Sequence, residues 1–197
     1  MNSENLNSSD KVKKGKILVI SAPSGAGKTT LTRQIISEFP DIIFSTSATT
    51  RNQRSNEIDG VDYFFISEEI FLNKIDLDEF AEWERFYDCY YGTYREQLEN
   101  TINSGKHILL EIDVKGALKI KHNYPEAVLI FIDPPSIEAL ISRLKNRKTE
   151  NEEEFRKRIE RAKMELSLKG KFDYLVVNDN LDLALSELKI IINKITT

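Results

Sequence analysis

The chain reads as an α/β fold: a parallel sheet between helices in three layers, carrying a small α+β insertion and a helical lid. Three observations predict it. Nearly continuous apolar runs recur at Ile17–Ile20, His107–Asp113, Ala127–Asp133 and Asp173–Asp179, as expected of strands covered on both faces. Helical periods lie between them, the alternation of a doubly wound core. A glycine-rich loop follows the first run and opens a helix, where ligands sit in open α/β sheets.

Taken in order, the opening residues MNSENLNSSD are polar, lack the apolar stretch of a signal peptide, and residues 1–14 are expected to form a mobile tail. The lysines Lys11, Lys13, Lys14 and Lys16 are read as solvated. After the first strand and its loop, Leu31, Ile35 and Phe39 share one helix face. From Ser47 to Leu98 the chain is rich in aromatics and charges, and this stretch is too long for a simple connection. It is expected to be an inserted domain, residues 47–98. Pro134, Pro135 and Ser136 mark a helix start, and Ile137, Leu140, Ile141 and Leu144 give that helix its apolar face. The charged residues 136–170 suit either a lid or a solvent-exposed helical hairpin. A last helix carries Leu181, Leu185, Leu188, Ile192 and Ile195 on one face. The core is then expected over residues 15–46, 99–135 and 171–197.

Composition narrows the function. With 197 residues and 30% charged side chains the chain suits one domain with small insertions. A net charge of -4 argues against a nucleic-acid or anionic-membrane partner, both of which call for a basic surface. No apolar run is long enough to span a bilayer. The lone Cys89 cannot form an internal disulfide, which fits a reducing, cytoplasmic setting. A homo-oligomer is compatible with all of this.

The loop itself, ISAPSGAGKTTLT, carries chemistry. It matches the P-loop pattern, with Ala22 where the first glycine usually stands and Gly25, Gly27, Lys28 and Thr29 at the other diagnostic positions. Glycines let backbone N–H groups converge on an anion, and the helix that follows adds its positive end. Lys28 can reach the β- and γ-phosphates, and the Thr29 hydroxyl can ligate Mg²⁺. The plainer reading is a glycine-rich turn. The strand before and the helix after favour a nucleotide loop of residues Ala22, Pro23, Ser24, Gly25, Ala26, Gly27, Lys28, Thr29 and Thr30, and hence a P-loop NTPase core.

Further motifs stand in sequence order. They are SATTRNQRSNEIDGVDYFF from Ser47, EWERFYDCYYGTYR from Glu82, LLEIDVKGA from Leu109, SRLKNRKTENEEEFRKRI from Ser142 and VVNDN from Val176. With the P-loop, this series resembles the guanylate kinases along nearly the whole chain after the tail. The resemblance implies transfer of the γ-phosphoryl group of ATP to GMP, with Mg²⁺, and makes residues 47–98 a GMP-binding insert.

It also implies site residues. Ser47, Arg51, Arg54, Tyr63 and Tyr91 match the positions that hold the GMP phosphate, with Glu57 orienting an arginine. Guanidiniums grip phosphate bidentately and hydroxyls donate to its other oxygens. Glu82 and Thr93 match the guanine-reading pair. A carboxylate accepts from the neighbouring N1–H and N2–H₂ of guanine, and a hydroxyl donates to O6. Adenine would leave such groups unpaired. Asp113 matches a Walker-B-like acid near Mg²⁺, and Glu111 matches a position near the guanosine part where relatives often have aspartate. Arg143, Arg147 and Arg158 match lid arginines that touch ATP or the moving phosphoryl group, and Asn178 matches a position near adenine. Lys148 stands where many relatives have glycine. His107, His122, Trp83 and Cys89 are read as structural. Two other readings share these features: a kinase of the same fold for another phosphorylated acceptor, and a non-catalytic guanylate-kinase-like binding module. The pair Glu82/Thr93, with the tyrosines, argues against the first, and Lys28 and Thr29 argue against the second.

Overall fold

The computed structural model describes residues 13–86, 88–145 and 152–197. Most of the expected tail, together with Arg147 and Lys148, lies outside the described residues.

In chain order the first elements are strand β1 (Ile17–Ser21), helix α1 (Lys28–Glu38) and strand β2 (Ile42–Phe44). Next come β3 (Ala48–Thr49), β4 (Phe64–Phe65), α2 (Glu68–Asp76), β5 (Phe80–Phe86), β6 (Cys89–Tyr94) and α3 (Arg95–Asn103). The chain continues with β7 (His107–Glu111), α4 (Val114–Asn123), β8 (Val128–Asp133), α5 (Ile137–Lys145) and α6 (Glu152–Ser167). It closes with β9 (Tyr174–Val177) and α7 (Leu181–Thr196).

The main sheet runs β2-β7-β1-β8-β9, and its pairings are parallel. Side-chain alternation explains the unbroken apolar runs. Leu18 and Ile20 of β1, Leu109 of β7, and Ile130 and Ile132 of β8 enter one core with α1 and α7. Ile17, Val19, Ile108, Leu110 and Leu129 enter a second core on the opposite face, against Leu98 and Ile102 of α3 and Ala117 and Ile120 of α4. Each such side chain contributes about 1.5–3 kcal/mol of transfer free energy. Both faces of these three strands are therefore committed, and chemistry is left to the strand ends. The edge strand β9, expected to be covered on both faces, instead leaves Leu175 and Val177 exposed on one.

A smaller sheet, β4-β3-β6-β5, lies between residues 48 and 94. Its aromatics make a third core around Ala48, Phe71 and Phe80, with the last two rings stacked 4.4 Å apart. Trp83 packs against this cluster. Most aromatics of the insert are thus structural, as read from the sequence.

Two differences from the sequence reading have simple causes. The expected strand His107–Asp113 stops at Glu111, because Asp113 turns to cap α4 through a 2.7 Å bond from the Gly116 N–H. The short edge strand β2 pairs only with β7 and carries too few residues to show a period. Ser136 does open α5, its Oγ accepting the Ala139 N–H at 3.1 Å.

Leu109 sits fully buried in β7, opposite Leu18 of the central strand. Leu109→Ala is expected to lower stability by about 2–5 kcal/mol, since packed sheets collapse poorly around a lost side chain. Urea unfolding measures this; an unshifted midpoint would contradict the assignment of the core.

Candidate active site

The end of β1 builds the first part of the site. Gly25 and Gly27 take positive φ of 90° and 92°, a backbone that side chains resist. Ala22 does not share that conformation, since Asp78 is the positive-φ residue among the described non-glycines. Alanine in place of the usual glycine therefore adds no strain. No side chain caps α1, which starts at Lys28 and has no acid in its first turn. Its leading N–H groups are left for an anion.

The loop is braced from behind. Asn178, at the end of β9, donates from Nδ2 to the Ala26 carbonyl at 2.7 Å. A side chain at Gly27 would collide with that amide. Asn178 thus shapes the loop from a buried position. Arg143 donates to the Asn178 carbonyl at 3.0 Å, which ties α5 to the same corner. The i, i+4 partner expected for it, Arg147, lies outside the described residues.

Register places acids beside the loop. Glu111 pairs with Ile20 across β7 and β1, so its side chain emerges next to the start of α1. The Thr29 hydroxyl donates to Glu111 Oε1 at 2.5 Å, and Lys28 Nζ stands 3.7 Å from the same oxygen. Lys28 also donates to the Ile112 carbonyl at 3.2 Å. Glu111, rather than Asp113, therefore meets the loop. Both oxygens of Asp113 are engaged, one by the Gly116 N–H and the other by Arg161 at 3.1 Å.

The insert supplies a second set of cations. Glu57 grips Arg51 with two bonds of 2.9 and 3.0 Å and also accepts the Arg54 N–H at 2.9 Å. The Arg51 guanidinium holds the Glu57 carboxyl below the usual carboxylate range. Arg51 also lies 5.4 Å over the Tyr63 ring. Glu57 thus orients the Arg51 guanidinium and fixes the backbone at Arg54, whose own exposed guanidinium lies 3.7 Å away. Burial, helped by Glu111 and Tyr91, pushes the Tyr63 hydroxyl up to about 12, so it remains a proton donor at neutral pH. Ser47, Tyr63 and Tyr91 face both the arginines and the loop.

Glu82 and Thr93 are cross-strand partners on β5 and β6, and the Thr93 hydroxyl donates to Glu82 Oε1 at 2.7 Å. Both are buried. Burial pushes the Glu82 carboxyl up to about 7; the Thr93 bond opposes that rise and Asp113 adds to it.

The loop residues, Glu82, Tyr91, Glu111 and Asp113, with Arg158 from α6, wall one cleft of about 320 Å³, and Thr93 is buried behind Glu82 rather than in the wall. A second lobe adjoins it, walled by Ser47, Arg51, Arg54, Glu57, Tyr63 and Tyr91. Arg161 and Glu165, which the sequence reading did not single out, also line the main cleft. Arg161 pairs with Glu165 at 2.7 Å and lies 3.4 Å over the Phe86 ring. Their spacing in α6, with Arg158, puts all three on one face. The signal was present in the sequence, but in so charged a segment it looked like a solvated surface. Among the described residues there is no cluster of three or more His, Cys, Asp or Glu side chains that could hold a metal. No helix among them is long and apolar enough to cross a membrane.

Comparison with known proteins agrees with this geometry. The guanylate kinase family model matches residues 14–195. The guanylate kinase of Caldanaerobacter subterraneus subsp. tengcongensis is 48% identical over 180 residues, covering 91% of this chain and 87% of the relative. That of Thermotoga maritima is 46% identical, covering 86% and 82%. The crystal structure of guanylate kinase from Anaplasma phagocytophilum superposes with a TM-score of 0.78 at 30% identity, covering 94% of this chain and 88% of that one. A nucleotide loop, an arginine pocket and a buried acid–hydroxyl pair in one cleft, together with these likenesses, place the chain in the guanylate kinase family, nucleoside monophosphate kinases that transfer a phosphoryl group from ATP to GMP.

Proposed function

We propose that the cleft holds both substrates, ATP on the glycine loop and GMP between the insert and the core, its base against Glu82 and its phosphate in the second lobe. The observation that carries this reading is the continuity of the cleft. The same cavity is walled by Lys28 and Thr29 at one end and by Glu82 and Tyr91 at the other.

In this reading the residues Ala22 to Thr30 cradle the ATP phosphates through backbone N–H groups, and Lys28 neutralises the oxygens around the bond that breaks. Arg51, Arg54, Tyr63, Tyr91 and Ser47 hold the GMP phosphate. Glu82 and Thr93 read guanine, and dGMP presents the same base. Arg143 and Arg158, with Arg147 beyond the described residues, act from the lid. Asn178 serves the ATP side by bracing the loop. The acceptor oxygen needs no general base, because a phosphate monoester with a second pKa of about 6 is already largely anionic at neutral pH. It attacks the γ-phosphorus in line, and ADP leaves. The protein contributes alignment and charge.

The chemistry of the residues suits Mg²⁺ as well. Thr29 and Glu111 present a hydroxyl and a carboxylate together at 2.5 Å, oxygen donors of the kind Mg²⁺ takes alongside substrate phosphates. Asp113, the acid expected there, is engaged as a helix cap and ion pair. When bound, the ion would neutralise phosphate charge.

A coupled ADP-release assay across GMP, dGMP, AMP, CMP and UMP tests the reading, with turnover expected for GMP and dGMP. Lys28→Ala is expected to lower turnover by about 10²- to 10³-fold, the range for losing one transition-state donor. GMP affinity by calorimetry should remain; an equal loss of GMP binding would contradict the role given to Lys28.

Glu82 predicts a pH dependence. Guanine needs an ionised acceptor, whereas the unliganded carboxyl is protonated below about 7. GMP affinity should therefore be about tenfold weaker at pH 6 than at pH 8. In Glu82→Gln only the slope from the phosphate's own ionisation should remain. The raised value has the reverse effect on the unliganded fold, because it favours the neutral acid. Stability falls as pH rises from the ordinary carboxylate range through about 7, and Glu82→Gln removes that fall. Calorimetric titration with GMP and thermal melts across pH measure both.

A further inference from the structure

We infer that Gly116 is a positioning residue for guanine recognition, because its missing side chain forms the seat on which the Glu82 carboxylate rests. This inference rests on the reading of Glu82 as the guanine acceptor and concerns how that acceptor is aimed.

The first observation is a close approach. A Cβ built on Gly116 would stand 2.7 Å from Glu82 Oε2 and 3.2 Å from its carboxyl carbon. Real Cβ atoms do not approach oxygen that closely, so any side chain at position 116 moves the carboxylate. Gly116 lies inside α4 and is not among the glycines with positive φ. The backbone thus gives no reason for glycine, and alanine would be the better helix former. What glycine supplies here is space for the Glu82 carboxylate.

The second observation is that the same helix face fixes the strand that carries Glu82. The carbonyls on either side of Glu82 are both tied to α4. Asn123 Nδ2 donates to the Ala81 carbonyl at 3.1 Å, and Lys119 Nζ donates to the Trp83 carbonyl at 2.5 Å. Lys119 also pairs with Glu84 at 2.9 Å and lies 5.1 Å over the Trp83 ring. Ala81 is buried against Ala117 and Ile120. Gly116, Lys119 and Asn123 are spaced three and four residues apart, which aligns them on one face. The helix therefore holds β5 at both neighbours of Glu82 and leaves a gap under its side chain.

The consequence separates folding from recognition. The carboxylate is the tip of a flexible side chain, so an added methyl group displaces it with little disturbance of the backbone. Guanine reading depends on where that tip lies, because one carboxylate must meet two neighbouring N–H donors. IMP lacks the 2-amino group and so loses one of the two bonds. The ratio of kcat/KM for GMP to that for IMP reports the aim of Glu82, whereas a general loss of structure lowers both together.

The experiment measures this ratio in the wild type, Gly116→Ala, Glu82→Gln and the double variant, with KM for ATP and the melting temperature alongside. We expect Gly116→Ala to cut the ratio about tenfold or more. Its KM for GMP should rise, its KM for ATP should stay within about twofold and its melting temperature should not fall. In the Glu82→Gln background the same change should add nothing, since the two residues act through one contact. If Glu82→Gln lowers the ratio and Gly116→Ala does not, the seat is overturned while the guanine reading stands. If Glu82→Gln leaves the ratio unchanged, the guanine reading falls and the seat with it. Should Gly116→Ala fail to fold, Lys119→Met decides: it keeps the apolar stem but loses the tie to the Trp83 carbonyl. It should lower the ratio about threefold with KM for ATP unmoved; an unchanged ratio would overturn the inference.

Discussion

Like charges repel, and a kinase that passes a phosphoryl group between two phosphorylated nucleotides must hold cations in place before either arrives. Each described cation of this cleft with a resolved partner stands on an acid. Lys28 lies beside Glu111, Arg51 is gripped by Glu57, and Arg161 bridges Asp113 and Glu165. At 3.7 Å, two unit charges attract by about 4 kcal/mol at the effective dielectric typical of a protein surface. Desolvation and side-chain entropy offset most of that gross attraction, and what remains favours these positions without substrate. A phosphate bearing up to two charges can compete for them when it enters. The strand order makes the arrangement possible, because burying both faces of β1 and β7 forces their polar residues to the carboxyl ends of the sheet.

Base recognition inverts that electrostatic logic. Glu82 is a buried acid with a hydroxyl partner and no cation within bonding distance among the described contacts. Burial raises its carboxyl to about 7, and a ligand that brings hydrogen-bond donors would favour the ionised form. In the proposed reading the phosphate would meet the largely buried Arg51 and the exposed Arg54, and the base a buried carboxyl, so the two ends of GMP would meet opposite environments.

Much of this was legible in the chain. The central strands β1, β7 and β8 appear as apolar runs because both of their faces are covered, whereas the edge strand β9 leaves Leu175 and Val177 exposed. The glycine loop is legible from its spacing. Arg51, Arg54 and the pair Glu82/Thr93 could be named as candidates from ordered motifs. Other features depend on distance in space. Glu111 and Asp113 are two residues apart and chemically alike; only the turn after β7 decides that one meets Thr29 and the other caps α4. Arg161 looks like any charged residue on a solvated helix until Phe86 and Asp113 are placed beside it. Gly116 carries no chemistry of its own, and its role shows only through what would collide with it.

The orientation of GMP is the point on which the rest turns, and a crystal structure of the protein grown with GMP measures it most directly. The phosphate should lie among Arg51, Arg54, Tyr63 and Tyr91, with the guanine edge on Glu82 and Thr93. A base lying outside the insert, or a GMP phosphate seated on the glycine loop, would contradict it.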